Sequence, residues 1–595
     1  MSAGGESKRG GAASSSSSSS APAHSLIEAQ RRYIDKMLNG VDGMKMLLLD
    51  GQTTQMLAMI YSQTEVLRNQ VFLTDKLGSA GRTERMMHLR GVVYVRPTAE
   101  NLRLLAKELA DPKYSEYHIF FSNVVGGDKL RALARADEHE VVASVQEYYA
   151  DYFAVNHDLL TLNLSDSLLM SLPRDRWDRR QQDAFARCCE GAVAALLSLK
   201  WKPLIRYQAN SAIAQSFGRE LQSRIVQENK LFSFGSAASR GRAQPVVLVL
   251  DRRDDPVTPL LTQWTYQAMV KELIGLDDNR VDMSNARNIR KDLKQVVLSC
   301  VDDEFFAEHM NDNFGDLGAA CKDLLATYQK KYKDNQQMDS IEDMQNFVER
   351  YPQFKALSNN VSKHVAVVGE LSRLVQEHNM MAQSELEQEL ACSDDHSSQL
   401  RTLKGLLEDP NLVGIDALRI VLLYALRYEE RSGNQIAALK RTLQQRKGVS
   451  PTQIALIDTI LSFGGAAKRG VDLYGNKGLL GSIAKSLKKG VVGVENVYTQ
   501  HQPHLAQVLD SLLKGKLKDA EYPFAREGSQ QKNRPQDVFV FMLGGTTYEE
   551  ATVVSQLNQA ETGVRVILGG PHVHNSQSFL KELELLSASQ SRVGY

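Results

Sequence analysis

Two rhythms of apolar residues divide this chain. From Met44 onward, short apolar runs at 46–49, 71–73, 92–95 and 118–121 alternate with stretches at 54–69 and 99–109 whose apolar positions recur every three or four residues. The short runs predict strands buried on both faces and the longer stretches predict covering helices, so this part reads as a parallel α/β layer. A fifth run at 141–145 leads to Ala154-Val155-Asn156, and helix is then predicted around 177–198, which places a first boundary near 155. A strong strand is predicted at 246–250, with Thr258-Pro259 suited to the N-cap and first residue of a following helix. From there to about 490 the pattern is helical with almost no strand signal, broken at Asp409-Pro410 and between Gly448 and Pro451. Strands return at 537–543 and 564–568, so the C-terminus is expected to complete an α/β layer begun before the helical insertion.

One part of the insertion stands out. A helix beginning with the capping pattern Ser340 and Asp343 carries Ile341, Met344, Phe347, Val348 and Tyr351 on one face, and Pro352 is expected to interrupt it. Beyond it Phe354, Leu357, Val361, His364, Val368, Leu371 and Val375 recur at spacings of three and four, the repeat by which helices pack as coiled coils. This stripe suits either the inside of a helical hairpin, with His364 a satisfied seam residue, or a surface that guides a coiled-coil-forming partner.

Composition narrows the function. The 595 residues suffice for about three or four domains. Lys plus Arg and Asp plus Glu each number 71, and this balance argues against a partner bound through phosphate neutralisation, such as nucleic acid. Five cysteines, at 188, 189, 300, 321 and 392, are too few and too irregular for a disulfide framework or paired zinc knuckles, which points to a reducing compartment. No apolar run approaches the roughly 20 residues that cross a bilayer. Residues 1–24, with serines from 14 to 20, read as a disordered tail, 233–245 as an exposed loop, and the Gly- and Lys-rich 464–493 as a flexible return.

Catalytic equipment is missing where it would be expected. Gly470 and Gly475 have P-loop separation, but Asn476 stands where the phosphate-binding Lys must be. His139-Glu140 begins a zinc motif whose fifth position is Ala143, and Gly448-Val449-Ser450-Pro451 lacks the closing Gly of a nucleophile elbow. His572 and His574 follow Gly569-Gly570-Pro571 and read as loop residues. Asp251, Asp254 and Asp255 sit where α/β enzymes hold magnesium, or else they pair with Arg252 and Arg253 and cap the next helix. The segment from Gly544 to Glu550 suits anion binding or a tight strand-to-helix turn. No catalytic, cofactor-binding or metal-ligating residue is assigned.

Five segments in register, VVYVRPTAEN (92–101), LDRRDDPVTPLLTQWTYQAM (250–269), VAVVGELSRL (365–374), EQELA (387–391) and FVFMLGGTTYE (539–549), resemble the signatures of the Sec/Munc (SM) family of SNARE regulators. The likeness runs from about residue 27 to the end, and HVAVVGELSRLV (364–375) and VENVYTQHQP (494–503) are most similar to its vacuolar protein sorting branch. The resemblance implies a three-domain arch of α/β and α structure. Its parts are an N-terminal α/β domain (25–155), a second α/β domain (156–262 with 491–595), and an inserted helical domain (263–490, with the hairpin in 263–385 and a second helical part in 386–490). It further implies no catalysis, no cofactor and no small-molecule substrate. The implied partners are a syntaxin-type Qa-SNARE of the syntaxin 16 class and an assembling SNARE bundle including an R-SNARE, with peripheral placement at trans-Golgi and endosomal membranes. Carried over residue by residue, the SNARE N-terminal peptide pocket falls on Leu130 and Glu147, with Leu133 and Ala134 lining the same groove. The family's Pro-Gln-aromatic turn at the SNARE-templating hairpin falls on Pro352, Gln353 and Phe354, followed by Leu357. Basic residues of exocytic members appear here as Gln55 and Ser62, which argues against an exocytic-type clamp on closed syntaxin. Without the resemblance, the residues leave open a helical trafficking adaptor of another family or an α/β enzyme with an unrecognised site.

Overall fold

The computed structural model describes residues 25–79, 84–234, 243–336, 341–474, 497–560 and 563–591, with 333–336, 341–354 and 591 in backbone only. The serine-rich stretch 1–24, most of the loop at 233–245, the Ser340 cap and most of the return at 464–493 lie outside the described residues.

Strands β1 (Lys45–Leu49), β2 (Val71–Lys76), β3 (Arg90–Val95), β4 (Tyr117–Phe121) and β5 (Val142–Glu147) form a parallel sheet of order β2-β1-β3-β4-β5. The interior strands are apolar and buried because helices cover both faces, while the edge strands β2 and β5 leave side chains such as Phe72 and Val145 exposed. The helix expected at 54–69 is two, Gly51–Ile60 and Gln63–Arg68, because Ser62 caps the second through Glu65 and diverts the chain. Ser62 is therefore a turn residue in this chain, and Gln55 is exposed.

The chain passes to a second sheet between Glu147 and Phe153. There β6 (Phe153–Ala154), β7 (Leu159–Thr161), β8 (Leu204–Tyr207) and β9 (Val246–Asp251) precede the helical insertion. The insertion holds a small antiparallel hairpin, β10 (Arg280–Asp282) with β11 (Gln295–Val297), whose three-residue strands are too short to show a period in the sequence. After it come β12 (Asp537–Leu543), β13 (Thr546–Thr547), β14 (Arg565–Gly570) and β15 (Val573–His574). The main order is β6-β7-β14-β12-β9-β8, so two C-terminal strands lie at the centre of a sheet begun at Phe153, β12 at Asp537 pairing with β9 at Val246 from some 290 residues earlier. The expected return of the C-terminus is thus observed, and it is deep: every residue of β9, β12 and β14 is buried.

Thr258-Pro259 does not open a helix. The pair lies in a 3₁₀ turn, Thr258–Leu260, because Asp255 accepts from Thr258 N at 3.0 Å and holds the chain in a tight turn. Helices Phe314–Gln336 and Ile341–Glu377 form the hairpin. Pro352 does not interrupt the second: one helix runs from Ile341 to Glu377 through it. Proline lacks a single donor, and the helix-forming turns on both sides keep their own hydrogen bonds. A separate helical core is centred on Gly414–Tyr428 and includes Phe579 and Leu583 of the C-terminal helix Ser576–Ser591. No described helix is long and apolar enough to cross a membrane.

Candidate functional site

A doubly wound sheet offers ligands the crevice beyond the carboxyl ends of the strands where the chain order reverses. In the first sheet that point lies between β1 and β3, and Asp50 closes it. Its carboxylate accepts from Gln52 N and Thr53 N at 2.8 Å each, and from Arg96 N and the Asn101 amide at 2.7 Å each. Both oxygens are committed to joining the two strands.

The second sheet is closed in the same way. Asp251 accepts from Ser211 Oγ at 2.6 Å and Arg253 N at 3.0 Å, Asp254 from Asn210 Nδ2 and Gly470 N at 3.1 Å each, and Asp255 from Thr258 Oγ1 at 2.6 Å and His504 N at 3.0 Å. Arg252 forms no ion pair with these three carboxylates, although it donates to the Asp255 carbonyl at 3.1 Å. Fully buried, it pairs with Glu550 at 2.5 Å and donates to the Gly545 carbonyl at 3.0 Å, while Arg253 stands 3.9 Å from Asp251. Burial raises the Glu550 carboxyl and Arg252 opposes that shift. Gly544 and Gly545 take φ of +83° and +92°, and a Cβ on Gly545 would lie 2.4 Å from the His574 ring, so the Gly pair is a tight turn. His574 is buried, donates from Nε2 to the Gly544 carbonyl at 2.9 Å and accepts at Nδ1 from Ser578 at 3.1 Å, which corrects its reading as a loop residue. Glu387 accepts from Thr262 N at 2.7 Å and pairs with Arg419 at 2.8 Å. No group of three or more His, Cys, Asp and Glu in metal-holding geometry occurs among the described residues.

Leu130, Leu133 and Ala134 lie on the helix Gly127–Ala136 beside β5, the sheet edge. Ile119 is in register with Val145 and Phe121 with Glu147, so Val145 and Glu147 project to the face that carries this helix. Leu130 is half-buried, Ala134 exposed, and Leu133 only 6% exposed within the core, so Leu133 supports the groove from beneath and does not line it. Val145, at 43% exposure, supplies an apolar wall that the sequence reading missed; its alternate spacing with Glu147 was the available signal. Glu147 accepts from Val125 N at 2.7 Å and the Tyr149 hydroxyl at 2.9 Å. Burial and the Glu147 carboxylate push the Tyr149 phenol well above its ordinary range, so it stays a donor. Leu130 and Val145 thus leave apolar surface on the face of the sheet edge to which the fixed Glu147 carboxylate also projects.

The hairpin divides along its length. Val361, His364, Val367, Leu371 and Val375 are buried, with Val367 taking the place expected for the half-buried Val368. His364 bridges Tyr266 Oη at 2.8 Å and Asp303 at 2.9 Å, a satisfied internal histidine. Burial lowers His364 below its ordinary value and keeps it neutral. Asp303 is buried, which works against its charge, but its bonds to His364 and Lys363 outweigh burial and hold it well below the usual carboxylate range. Nearer the tip, Leu357 is half-buried, and Leu325 and Tyr332 of the facing arm are 38% and 46% exposed. Pro352, Gln353 and Phe354 lie there, within the continuous helix.

The profile of the Sec1 family matches residues 45–582. The chain belongs to the Sec1 family. Within it, the chain is 47% identical over 570 residues to vacuolar protein sorting-associated protein 45 of Rattus norvegicus, covering 96% of this chain and 97% of that one. To the protein of that name in Dictyostelium discoideum it is 43% identical, covering 94% and 96%. Among solved structures, the SM protein Vps45 in complex with the Qa SNARE Tlg2 (1-310) superposes with a TM-score of 0.88 at 43% identity over 96% of this chain and 99% of that one. Sec1-family membership accounts for the three-part architecture, and several of the recognised segments lie at its joints: Arg96 and Asn101 at the end of the first sheet, Arg252 at the end of the second, where it pairs with Glu550, and Glu387, which ties a helix to the loop after β9.

Proposed function

We propose that this chain binds a syntaxin-type Qa-SNARE and promotes assembly of SNARE bundles, R-SNARE included, for fusion in trans-Golgi and endosomal transport. The observation that carries this reading is the face at the edge of the first sheet, where Leu130 and Val145 offer apolar surface beside the oriented Glu147 carboxylate. It suits a short peptide with one apolar anchor and a donor group. The complex of the similar Vps45 with its Qa SNARE supports the choice of partner, and the syntaxin 16 class follows from the vacuolar protein sorting likeness. The exposed apolar positions at the hairpin tip, with Leu357 and the turn of helix at Pro352, Gln353 and Phe354, suit the templating of SNARE helices. The filled crevices of both sheets favour binding over catalysis.

This face is tested with a peptide of the N-terminal residues of a syntaxin 16-class SNARE. An apolar contact of leucine size contributes ~1.5–3 kcal/mol, so Leu130→Arg is expected to weaken binding ten-fold or more while leaving the melting temperature nearly unchanged. Undiminished binding by the folded variant removes this face as the peptide site.

A further inference from the structure

The groove and the joint between the two sheets share one side chain. The helix that carries Leu130 follows Gly126, which has no side chain to cap it, so residues 123–125 set its position. Val125 N donates to Glu147 at 2.7 Å and Val124 N to Asn123 Oδ1 at 2.9 Å. The same Asn123 side chain, buried, donates from Nδ2 to the Asp151 carboxylate at 2.9 Å and to the Glu190 carbonyl at 3.1 Å. Asp151 is fully buried and also pairs with Arg96 at 2.8 Å and Arg187 at 3.1 Å, and Arg96 reaches the Glu190 carboxylate at 3.1 Å. Arg187 and Glu190 belong to helix Arg179–Leu199, which packs in the second layer. Lys129, next to Leu130, donates to the Pro97 carbonyl at 2.8 Å and ties the groove helix to the loop after Arg96.

We infer that Asn123 is a positioning residue that couples the peptide groove to the joint between the first sheet and helix Arg179–Leu199; this rests on the groove's being a peptide site. A displacement of that helix would take the Glu190 carbonyl from the buried Asn123 amide and Arg187 from the buried Asp151 unless loop 123–125 followed it, and leaving buried polar groups short of partners is the costlier outcome. The loop therefore follows, and Leu130 shifts against Val145 and Glu147. Coupling of this kind is reciprocal, so a seated peptide also tightens the joint.

The test uses the full chain and the same synthetic SNARE peptide. Asn123→Ala is expected to weaken peptide binding roughly five- to ten-fold, although it touches none of the groove-lining side chains. In the wild-type protein, added peptide is expected to slow amide hydrogen exchange at 186–192 as well as at 123–136, and in Asn123→Ala the first effect is lost. Peptide protection confined to the groove, or equal affinity in a folded Asn123→Ala, overturns the coupling while the groove stands. If the wild-type protein fails to bind the peptide at all, the groove assignment falls and the coupling with it.

Discussion

Arg252 is the largest fully buried side chain among the described residues, and it pairs there with the carboxylate of Glu550, also fully buried. An ion pair placed so deep adds little net stability against an apolar pair of similar shape, yet removing one member strands the other. Arg252→Met should therefore cost roughly 3–5 kcal/mol in urea unfolding, and the double change Arg252→Met with Glu550→Leu should recover most of it. A single-variant loss below about 1 kcal/mol would contradict this account of the pair. Its role explains why a charged segment, 251–255, follows the most apolar strand of the chain: the charges close the end of the sheet and cap the turn.

At the scale of elements, the hairpin helix Ile341–Glu377 serves two ends. Its inner half is locked by Val367, Leu371 and His364, while its outer half presents Leu357 and the neighbouring turn. Leu371→Ala is expected to cost ~2–5 kcal/mol, the usual range for an emptied core site, and Leu357→Ala clearly less. Comparing the two variants by chemical denaturation checks the division. Equal losses would mean that the outer half is as firmly packed as the inner, and the exposed arm would lose its claim as a partner surface.

For the whole molecule, acid is the sensitive direction. Burial lowers His574 far below its ordinary value and takes His572 down to about 4, with His364, His501 and His504 lowered as well. Unfolded, each would gain a proton near pH 6.5. Their stabilisation is therefore present above that pH and lost as pH falls from about 6.5 through 4. Burial moves Glu549 and Glu582 the other way, each up to about 7, so their contributions are lost as pH rises from 4.5 through 7 and partly offset the trend. Seven histidines are lowered, His157 and His396 among them, against the two glutamates moved up to about 7, which favours greater stability at pH 7.5 than at 5. Unfolding at the two pH values should show this, with a shallower drop for His574→Gln if that variant folds; a flat profile would mean that the histidines titrate normally in the fold.

Most strands of both sheets, the break after Glu408 and the return of the C-terminus were legible in the sequence. They depend on local patterns: a run of apolar residues, or a proline after an acidic turn. The likeness of five spaced segments identified the family and pointed to Leu130 and Glu147 as candidates for the peptide site. What these segments do physically was decided only in three dimensions, because their partners are distant in sequence: Arg252 meets Glu550, Glu387 meets Arg419, and Asp50 meets Asn101. Locally, Pro352 is a helix breaker, and only the helix built through it shows that the flanking turns prevail. Leu133 and Val145 are apolar residues on neighbouring elements, and no periodicity says which is sealed in the core and which is left open. That depends on β5 being the edge of its sheet, a property of strand order that no single segment contains.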